Sequence, residues 1–303
     1  MNTIVLNLGA GVQSTTVFLM AHEGLIPPID HAVFADTQEE PKEVYEHLAW
    51  LRTVPEPVPL LHVASIGRLG DDLLAGCNAA GGRKKTPGAD GTIRFASIPA
   101  YTAPHHEHRP PGKVKEGITR RQCTREYKVE VVEWVIRRTI LGVKPRRRVP
   151  VGTMVEQVFG ISLDEKDRRC NIMKRFNDRP WSRPSFPLID LKMTRWDCLD
   201  WLKDRVPHQT PRSACVFCPF KRDTEWLITK SHPKDWARAV EIDRALRPQG
   251  TVANRGLTQA LYLHRQCIPL EMVDLEAGAA REREKQALPL FTVYGCGEGM
   301  CGV

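Results

Sequence analysis

The chain has 303 residues, of which 42% are hydrophobic, and its formal net charge is +8. This composition is ordinary for a globular protein, and the length suits one large domain or one domain with an appendage. No apolar run approaches the roughly 20 residues of a membrane span, and no secretory signal is visible, so we expect a cytoplasmic protein without membrane contact.

The first part of the chain alternates between strand-like and helix-like segments. Apolar runs predict strands at residues 3–8, 32–35 and 60–63, and helices follow them at residues 13–23, 39–51 and 66–74. This alternation predicts an α/β fold with a doubly wound, mostly parallel sheet. Ligands of such sheets bind at the carboxyl ends of the strands.

A glycine-rich segment joins the first predicted strand to the first helix. It contains Gly9, Gly11, Gln13, Ser14 and Thr15. A turn of this kind directs backbone N–H groups at one spot near the positive end of the helix dipole, which favours phosphate or sulfate. The segment lacks the lysine of a Walker loop and the third glycine of a dinucleotide fingerprint. We predict a phosphate-binding loop, and the alternative is a plain turn of an α/β domain.

The middle of the chain is less regular. Residues 77–117 are rich in Gly, Pro, Ala and His and predict a long loop. Its histidines at 105, 106 and 108 indicate either a metal site or a solvated polar loop. The pattern then predicts a helix at residues 118–141, a strand at residues 148–152, and a capping box in which Ser162 caps a helix and Glu165 completes the motif.

The last part of the chain predicts a strand at residues 185–189, a helix at residues 195–205 and mostly helix over residues 222–265. From about Glu282 a Gly- and Cys-rich tail is expected to be extended and mobile. We therefore predict a nucleotide-binding domain over residues 1–230 and a helical extension with its tail over residues 231–303.

Nine cysteines, an odd number, argue against a disulfide framework in a cytoplasmic chain. Cys215 and Cys218 form a C-x-x-C pair that can bind one metal or cluster, but a four-ligand site needs further partners. Cys123 is the best third candidate, because it opens a predicted helix among basic residues that favour a thiolate. We predict inert core positions for the cysteines at 170, 198 and 267.

The tail carries two more cysteines, Cys296 and Cys301, among glycines. Such a tail can bring a thiolate into a site, form a reversible disulfide or supply a missing ligand, and the alternative is a dispensable chain end. Basic residues cluster at residues 120–128, 144–148 and 166–169. They indicate an anionic partner, either a nucleotide, a sulfonucleotide or a nucleic acid, unless they form solvated surfaces.

Six motifs in order resemble the sulfonucleotide reductases, which are the phosphoadenylyl-sulfate and adenylyl-sulfate reductases of the adenine-nucleotide α-hydrolase, or PP-loop, superfamily. The resemblance covers about residues 1–230. The matching segments are the glycine-rich loop, residues 35–41 with Asp36, Cys123 with Lys128, residues 160–168 with Gly160 and Arg168, residues 186–190 with Trp196, and the pair Cys215 and Cys218.

The resemblance implies that the loop residues, Asp36, Gly160 and Arg168 bind an adenine nucleotide. It also implies a 4Fe–4S iron–sulfur cluster on Cys123, Cys215 and Cys218, with zinc as the alternative. This sequence departs from the family at Gln122, where cluster-bearing reductases have a second cysteine, and at Ser162, where they have an arginine. The tail is similar to the family's catalytic Glu-Cys-Gly-Leu-His motif but not identical.

Three functions follow as hypotheses. In the first, Cys301 or Cys296 attacks adenylyl sulfate or phosphoadenylyl sulfate, and a thioredoxin-like protein supplies reductant. In the second, the chain cleaves ATP with Mg²⁺ and inserts sulfur into tRNA or DNA, like the thiolases and phosphorothioation enzymes of the same fold. In the third, the chain is a zinc-stabilised nucleotide-binding regulatory protein without catalysis.

Overall fold

The computed structural model describes residues 2–75, 98–102, 117–249, 251, 253–254 and 257–287. The predictions for the histidines at 105, 106 and 108 and for Cys296 and Cys301 lie outside these residues. Within the described ranges, no helix combines the length and the apolar character that crossing a bilayer requires.

The centre of the fold is a five-stranded parallel sheet. Its strands are β1 (Asn2–Asn7), β2 (His31–Ala35), β3 (Leu60–Ala64), β6 (Met154–Phe159) and β7 (Ser182–Ser185), in the order β3-β2-β1-β6-β7. Three two-residue strands, β4 (Tyr101–Thr102), β5 (Gly117–Ile118) and β8 (Leu261–Tyr262), form a small antiparallel sheet.

Helices connect the strands. They are α1 (Val12–His22), α2 (Lys42–Leu51), α3 (Leu69–Leu74), α4 (Glu130–Val135), α5 (Lys166–Phe176), α6 (Pro187–Asp190), α7 (Arg195–Leu202), α8 (Asp223–Ser231), α9 (Pro233–Leu246) and α10 (Leu275–Ala287). Helix α4 continues at both ends into π-helical turns, Thr124–Val129 and Ile136–Ile140, so residues 124–140 form one composite helix.

Both faces of the sheet are covered, as an all-parallel sheet requires. Leu6 and Phe34 pack with α1, α2 and α7 on one face. Val5 and Val33, whose side chains alternate with those residues, pack against the composite helix on the other face. The prediction of an α/β fold with a doubly wound parallel sheet is confirmed at this level.

A second core lies beside the sheet. It joins α3, α8 and α9 with β8, and its largest buried side chains include Tyr127, Phe217 and Trp226. Ile242 and Leu275 belong to the same cluster. Residues on both sides of position 230 therefore share one core, although residue 230 is the predicted domain boundary.

Three local predictions are wrong. The strand expected at residues 148–152 forms later, at β6, and the strand expected at residues 185–189 ends at Ser185 because Pro187 starts α6. Ser162 does not cap a helix, since Glu165 holds the N-cap position of α5 and makes no side-chain capping bond there.

The C-terminal predictions also need correction. Among the described residues of 222–265, helix is confined to α8 and α9, and β8 follows α9. The chain around Glu282 is not extended, because α10 runs to Ala287. The Glu282 carboxylate accepts hydrogen bonds from the backbone N–H groups of Asp223 (3.0 Å) and Thr224 (3.2 Å), which fixes α10 to the start of α8.

Candidate functional site

The candidate site lies where the strand order reverses. The chain proceeds outward from β1 to β2 and β3, and returns on the other side of β1 as β6. In open α/β sheets, ligands bind in the crevice at this switch point, beyond the carboxyl ends of the strands. The glycine-rich loop follows β1 and Gly160 follows β6, so the fold brings both predicted segments to this crevice.

The Ser14 hydroxyl organises the glycine-rich loop. Its Oγ accepts hydrogen bonds from the N–H groups of Gly9 (3.2 Å) and Gly11 (3.3 Å) and donates to the Gly11 carbonyl oxygen (3.2 Å). Ala10 between the glycines takes a left-handed conformation, with φ of 54°. The Ser14 hydroxyl thus holds both N–H groups at the start of α1, where the helix dipole favours an anion.

Gly160 is needed for packing. A Cβ atom at this position would lie 2.7 Å from the Ser14 nitrogen and 2.8 Å from the Gln13 carbonyl carbon. The end of β6 thus touches the backbone of the first turn of α1 directly. This contact fixes the two sides of the crevice against each other.

Gln13 links three parts of the site and is almost buried, with 9% of its surface exposed. Its Nε2 donates to Glu165 (3.0 Å), and its Oε1 accepts from the Arg195 guanidinium (2.9 Å). Arg168 donates to the same Glu165 carboxylate (3.0 Å). The structure therefore brings Gln13 and Arg168 together through Glu165. The sequence interpretation had assigned Glu165 to a helix cap, and it missed Arg195.

Thr15 does not share this environment. It is fully buried, and its Oγ1 lies 2.8 Å from Nε2 of His47, which is also fully buried. The other ring nitrogen of His47 lies 2.8 Å from Nε2 of His208. Burial, and after it the neighbouring His208, lowers the pKa of His47 to about 4. The Thr15 hydroxyl thus contributes to the interior beneath the loop and not to the crevice.

Asp36 follows β2 at the same edge of the sheet. Its Oδ1 accepts hydrogen bonds from the Gln38 N–H (2.7 Å) and the Tyr45 hydroxyl (3.0 Å). Burial raises the pKa of Tyr45, and the neighbouring Asp36 carboxylate raises it again. Asp36 therefore shapes the turn after β2 and orients Tyr45 beside the crevice.

The three cysteines predicted as ligands meet at one place. Cys123, Cys215 and Cys218 line a cavity of about 30 Å³ together with Lys128 and side chains of the second core such as Leu69 and Phe217. The segment before Cys215 also touches the loop. A Cβ atom on Gly11 would lie 3.7 Å from atoms of residues 211 and 213. The segment that leads to Cys215 thus packs against the glycine-rich loop.

Buried charges surround the cysteines. The Lys128 ammonium lies 3.0 Å from the Glu40 carboxylate, and both side chains are almost inaccessible. Burial raises the pKa of the Cys215 thiol, the Glu40 carboxylate raises it further, and Lys128 lowers it. The Thr37 hydroxyl lies 3.4 Å from the Cys215 sulfur. Cys215 is therefore a protonated thiol unless a cation binds beside it.

The donor types fit a thiophilic metal, since soft thiolates select zinc and iron–sulfur clusters. The arrangement is not that of a formed centre, because no three His, Cys, Asp or Glu side chains converge as a metal-binding group within the described ranges. The cavity of about 30 Å³ has the size of one or two waters. A single ion needs small side-chain adjustments there, whereas a 4Fe–4S cluster needs the cavity to open.

The other described cysteines lie outside the cavity. Cys198 is buried, and burial raises its pKa to about 12, in agreement with the predicted inert position. Cys170 is exposed on α5, so its assignment to the core is wrong, and Cys267 is partly exposed.

Comparison of the chain with protein-family models, curated proteins and solved structures finds no match. The fold and the site by themselves define an α/β protein that has a crevice suited to an anion and, near it, a cavity lined by cysteines.

Proposed function

We propose that this protein is an enzyme of the sulfonucleotide reductase type, which binds adenylyl sulfate or phosphoadenylyl sulfate and reduces its sulfur with thiols. The superfamily assignment to the PP-loop adenine-nucleotide α-hydrolases is part of the proposal. One observation carries it: cysteines almost a hundred residues apart line one cavity, and the segment that leads to Cys215 packs against the glycine-rich loop. Anion binding and thiol chemistry are the two requirements of this reaction.

The proposed binding mode follows from the crevice. The start of α1 receives the phosphate or the sulfate of the nucleotide, and one of its oxygens replaces the Ser14 hydroxyl as the acceptor of the Gly9 and Gly11 N–H groups. Arg168 and Arg195, which are held by Glu165 and Gln13, add positive charge at the opposite wall. Gln13 is neutral at a position where an aspartate would face the Glu165 carboxylate, so the neutral side chain keeps this network intact.

The proposed reaction has two steps. A thiolate of Cys301 or Cys296 attacks the sulfonyl sulfur, a bond between the two sulfurs forms, and the bond from sulfur to the nucleotide oxygen breaks. The nucleotide leaves with the electron pair. A second thiol then attacks the cysteine sulfur, forms a disulfide and releases sulfite. Two thiols are oxidised while the sulfur is reduced from the level of sulfate to that of sulfite, and a thioredoxin-like dithiol restores the thiols.

Cys123, Cys215 and Cys218 would hold the metal or the cluster that the resemblance implies. A bound metal centre supplies positive charge next to the crevice and keeps its ligands deprotonated. The protein itself already provides part of this positive charge, since Lys128 lies in the cavity wall.

The test is a product analysis of the anaerobically purified full chain. The protein is incubated separately with adenylyl sulfate, phosphoadenylyl sulfate and ATP, each with a thiol reductant, and the nucleotide products are resolved. We expect sulfite together with AMP or adenosine bisphosphate and no cleavage of ATP. AMP and pyrophosphate from ATP, with both sulfonucleotides unchanged, would refute the reductase.

Cysteine variants sharpen this test. Cys301→Ser and Cys296→Ser show which tail thiol reacts, because the loss of sulfite release identifies the nucleophile. Cys170→Ser is the matched control, since Cys170 is exposed on α5 and lies outside the cavity. Equal loss of activity in all three variants would indicate general thiol damage and would contradict a specific nucleophile.

A second candidate function is ATP-dependent sulfur transfer to a nucleic acid. The observation that favours it is the concentration of positive charge beside the crevice, where residues 166–179 contain six basic and two acidic side chains. In this function Mg²⁺ accompanies ATP, and the product assay gives AMP and pyrophosphate. A zinc-stabilised regulatory protein is the third candidate, and the small cavity favours it over a cluster. Metal analysis separates zinc from iron and sulfide.

A further inference from the structure

A strongly basic surface extends away from the crevice. Its residues come from three segments of the chain and are Arg121, Arg137, Arg147, Arg168, Arg175 and Arg179. We call them the basic surface. Partial burial lowers the pKa of Arg175, and the charges of Arg179, Arg168 and Arg121 lower it further. The four guanidiniums therefore lie close enough to repel one another.

Carboxylates lie among these guanidiniums. Glu165 binds Arg168 at 3.0 Å, and Glu133 forms an ion pair with Arg179. Glu133 also interacts electrostatically with Arg137, so the basic surface continues from α5 onto the composite helix. A patch that keeps mutually repelling cations together is stabilised when an anion binds to it.

The composite helix holds a further basic segment in place. The Arg137 guanidinium donates to the Arg147 carbonyl oxygen at 2.8 Å, and Arg138 donates to the Val143 carbonyl oxygen at 2.5 Å. Residues 144–148 carry four basic side chains and no acidic one, and all five residues are exposed. Two arginines thus fix a basic loop at the end of the helix.

The composite helix also presents an exposed aromatic ring three residues before Arg137, a spacing at which helical side chains are neighbours. Trp134 precedes the Val135–Ile136–Arg137 turn of the composite helix, and 55% of its surface is exposed. Exposed tryptophan is costly in water and is typical of interaction surfaces. Positive charge with an exposed aromatic ring is the combination with which proteins bind single-stranded nucleic acid, because the cations contact phosphates and the ring stacks on an unpaired base.

We infer that the basic surface and Trp134 bind a nucleic-acid segment that contains unpaired bases. A small nucleotide does not need the extent of this surface, which runs from Arg121 at the cysteine cavity to Arg147 beyond the composite helix. The inference does not depend on the reaction at the crevice. A nucleic acid bound here passes the crevice at Arg121 and Arg168.

The test measures binding of the full chain to a fluorescein-labelled single strand of about 20 nucleotides by fluorescence anisotropy. The matched fully paired duplex is the competitor, and salt is varied between about 50 and 200 mM. We expect tighter binding to the single strand and a steep loss of affinity with salt. Undetectable binding at the lowest salt overturns the inference.

Two variants separate charge from stacking. Arg147→Ala with Arg175→Ala removes two cations, and we expect the slope of log affinity against log salt to fall by about 1.4. Trp134→Ala is expected to weaken single-strand binding about tenfold with little change in this slope. If the duplex binds as tightly as the single strand and Trp134→Ala has no effect, unpaired bases have no role in binding.

The matched control is Lys42→Ala with Lys203→Ala. It removes two exposed cations, one on α2 and one directly after α7, and these helices cover the opposite face of the sheet. We expect it to leave affinity and slope unchanged, and an equal loss in both double variants would show that net charge alone attracts the nucleic acid. Sulfonucleotide turnover, measured on the same preparations, reports separately on the proposed reaction, and each result stands without the other.

Discussion

Gly160→Ala tests whether the direct contact between β6 and α1 positions the crevice. The new Cβ atom would lie between 2.7 and 2.8 Å from three backbone atoms of Gln13 and Ser14. Backbone atoms at the start of a helix cannot rotate away as a flexible side chain does, so the helix start itself must shift.

The expected change in the free energy of unfolding is the difference of two effects. Overpacking costs about 1–3 kcal/mol, and three backbone contacts place this site in the upper half of that range. Replacing glycine by alanine reduces the entropy of the unfolded chain and returns about 0.4–1 kcal/mol. The free energy of unfolding should therefore fall by about 2 kcal/mol.

The assay is urea unfolding followed by circular dichroism, together with binding of the adenine nucleotide by calorimetry. Gly9→Ala is the matched control, because its Cβ atom would meet only the Ser14 Oγ at an ordinary 3.7 Å. We expect Gly9→Ala to keep the stability of the wild type. A Gly160→Ala protein within about 0.5 kcal/mol of the wild type would refute the reasoning.

Three further predictions concern buried charges and hydrogen bonds. Lys128→Met leaves the Glu40 carboxylate buried without its cation, so the free energy of unfolding measured in urea should fall by about 3–5 kcal/mol. Adding Glu40→Gln should restore part of this stability. An unchanged free energy of unfolding in Lys128→Met would contradict the pairing. His47 has a folded-state pKa of about 4 against about 6.5 unfolded, so the unfolded state binds the extra proton between these values. Its contribution is fully present above about pH 6.5 and falls by about 3 kcal/mol as the pH drops towards 4. His47→Gln should flatten the measured dependence of stability on pH in this window, and an unchanged slope would exclude His47 as its source. Glu282→Gln weakens the acceptor for the first N–H groups of α8 and should cost about 1 kcal/mol in thermal unfolding, whereas an unchanged melting temperature would argue against α10 as an anchor.

Residues close in sequence explain the successful predictions. The strand–loop–helix unit around Gly9 follows from an apolar run, two glycines and a second apolar run, all within 20 residues. The wrong predictions occur where a local sequence pattern competes with a contact between distant parts of the chain. Ser162 and Glu165 have the spacing of a capping box, but both side chains face Gln13 across the crevice, because β6 lies beside β1.

The sequence by itself determined the α/β class, the position of the glycine-rich loop and the three cysteines that share a cavity. These follow from periodicity and residue type, which act over a few turns or strands. Only the tertiary structure decided that Thr15 faces His47, that Glu165 joins Gln13 to Arg168, and that Lys128 neutralises Glu40 beside Cys215. Each of these contacts joins residues that lie on different elements, and their energies depend on burial, which no local pattern in the chain specifies.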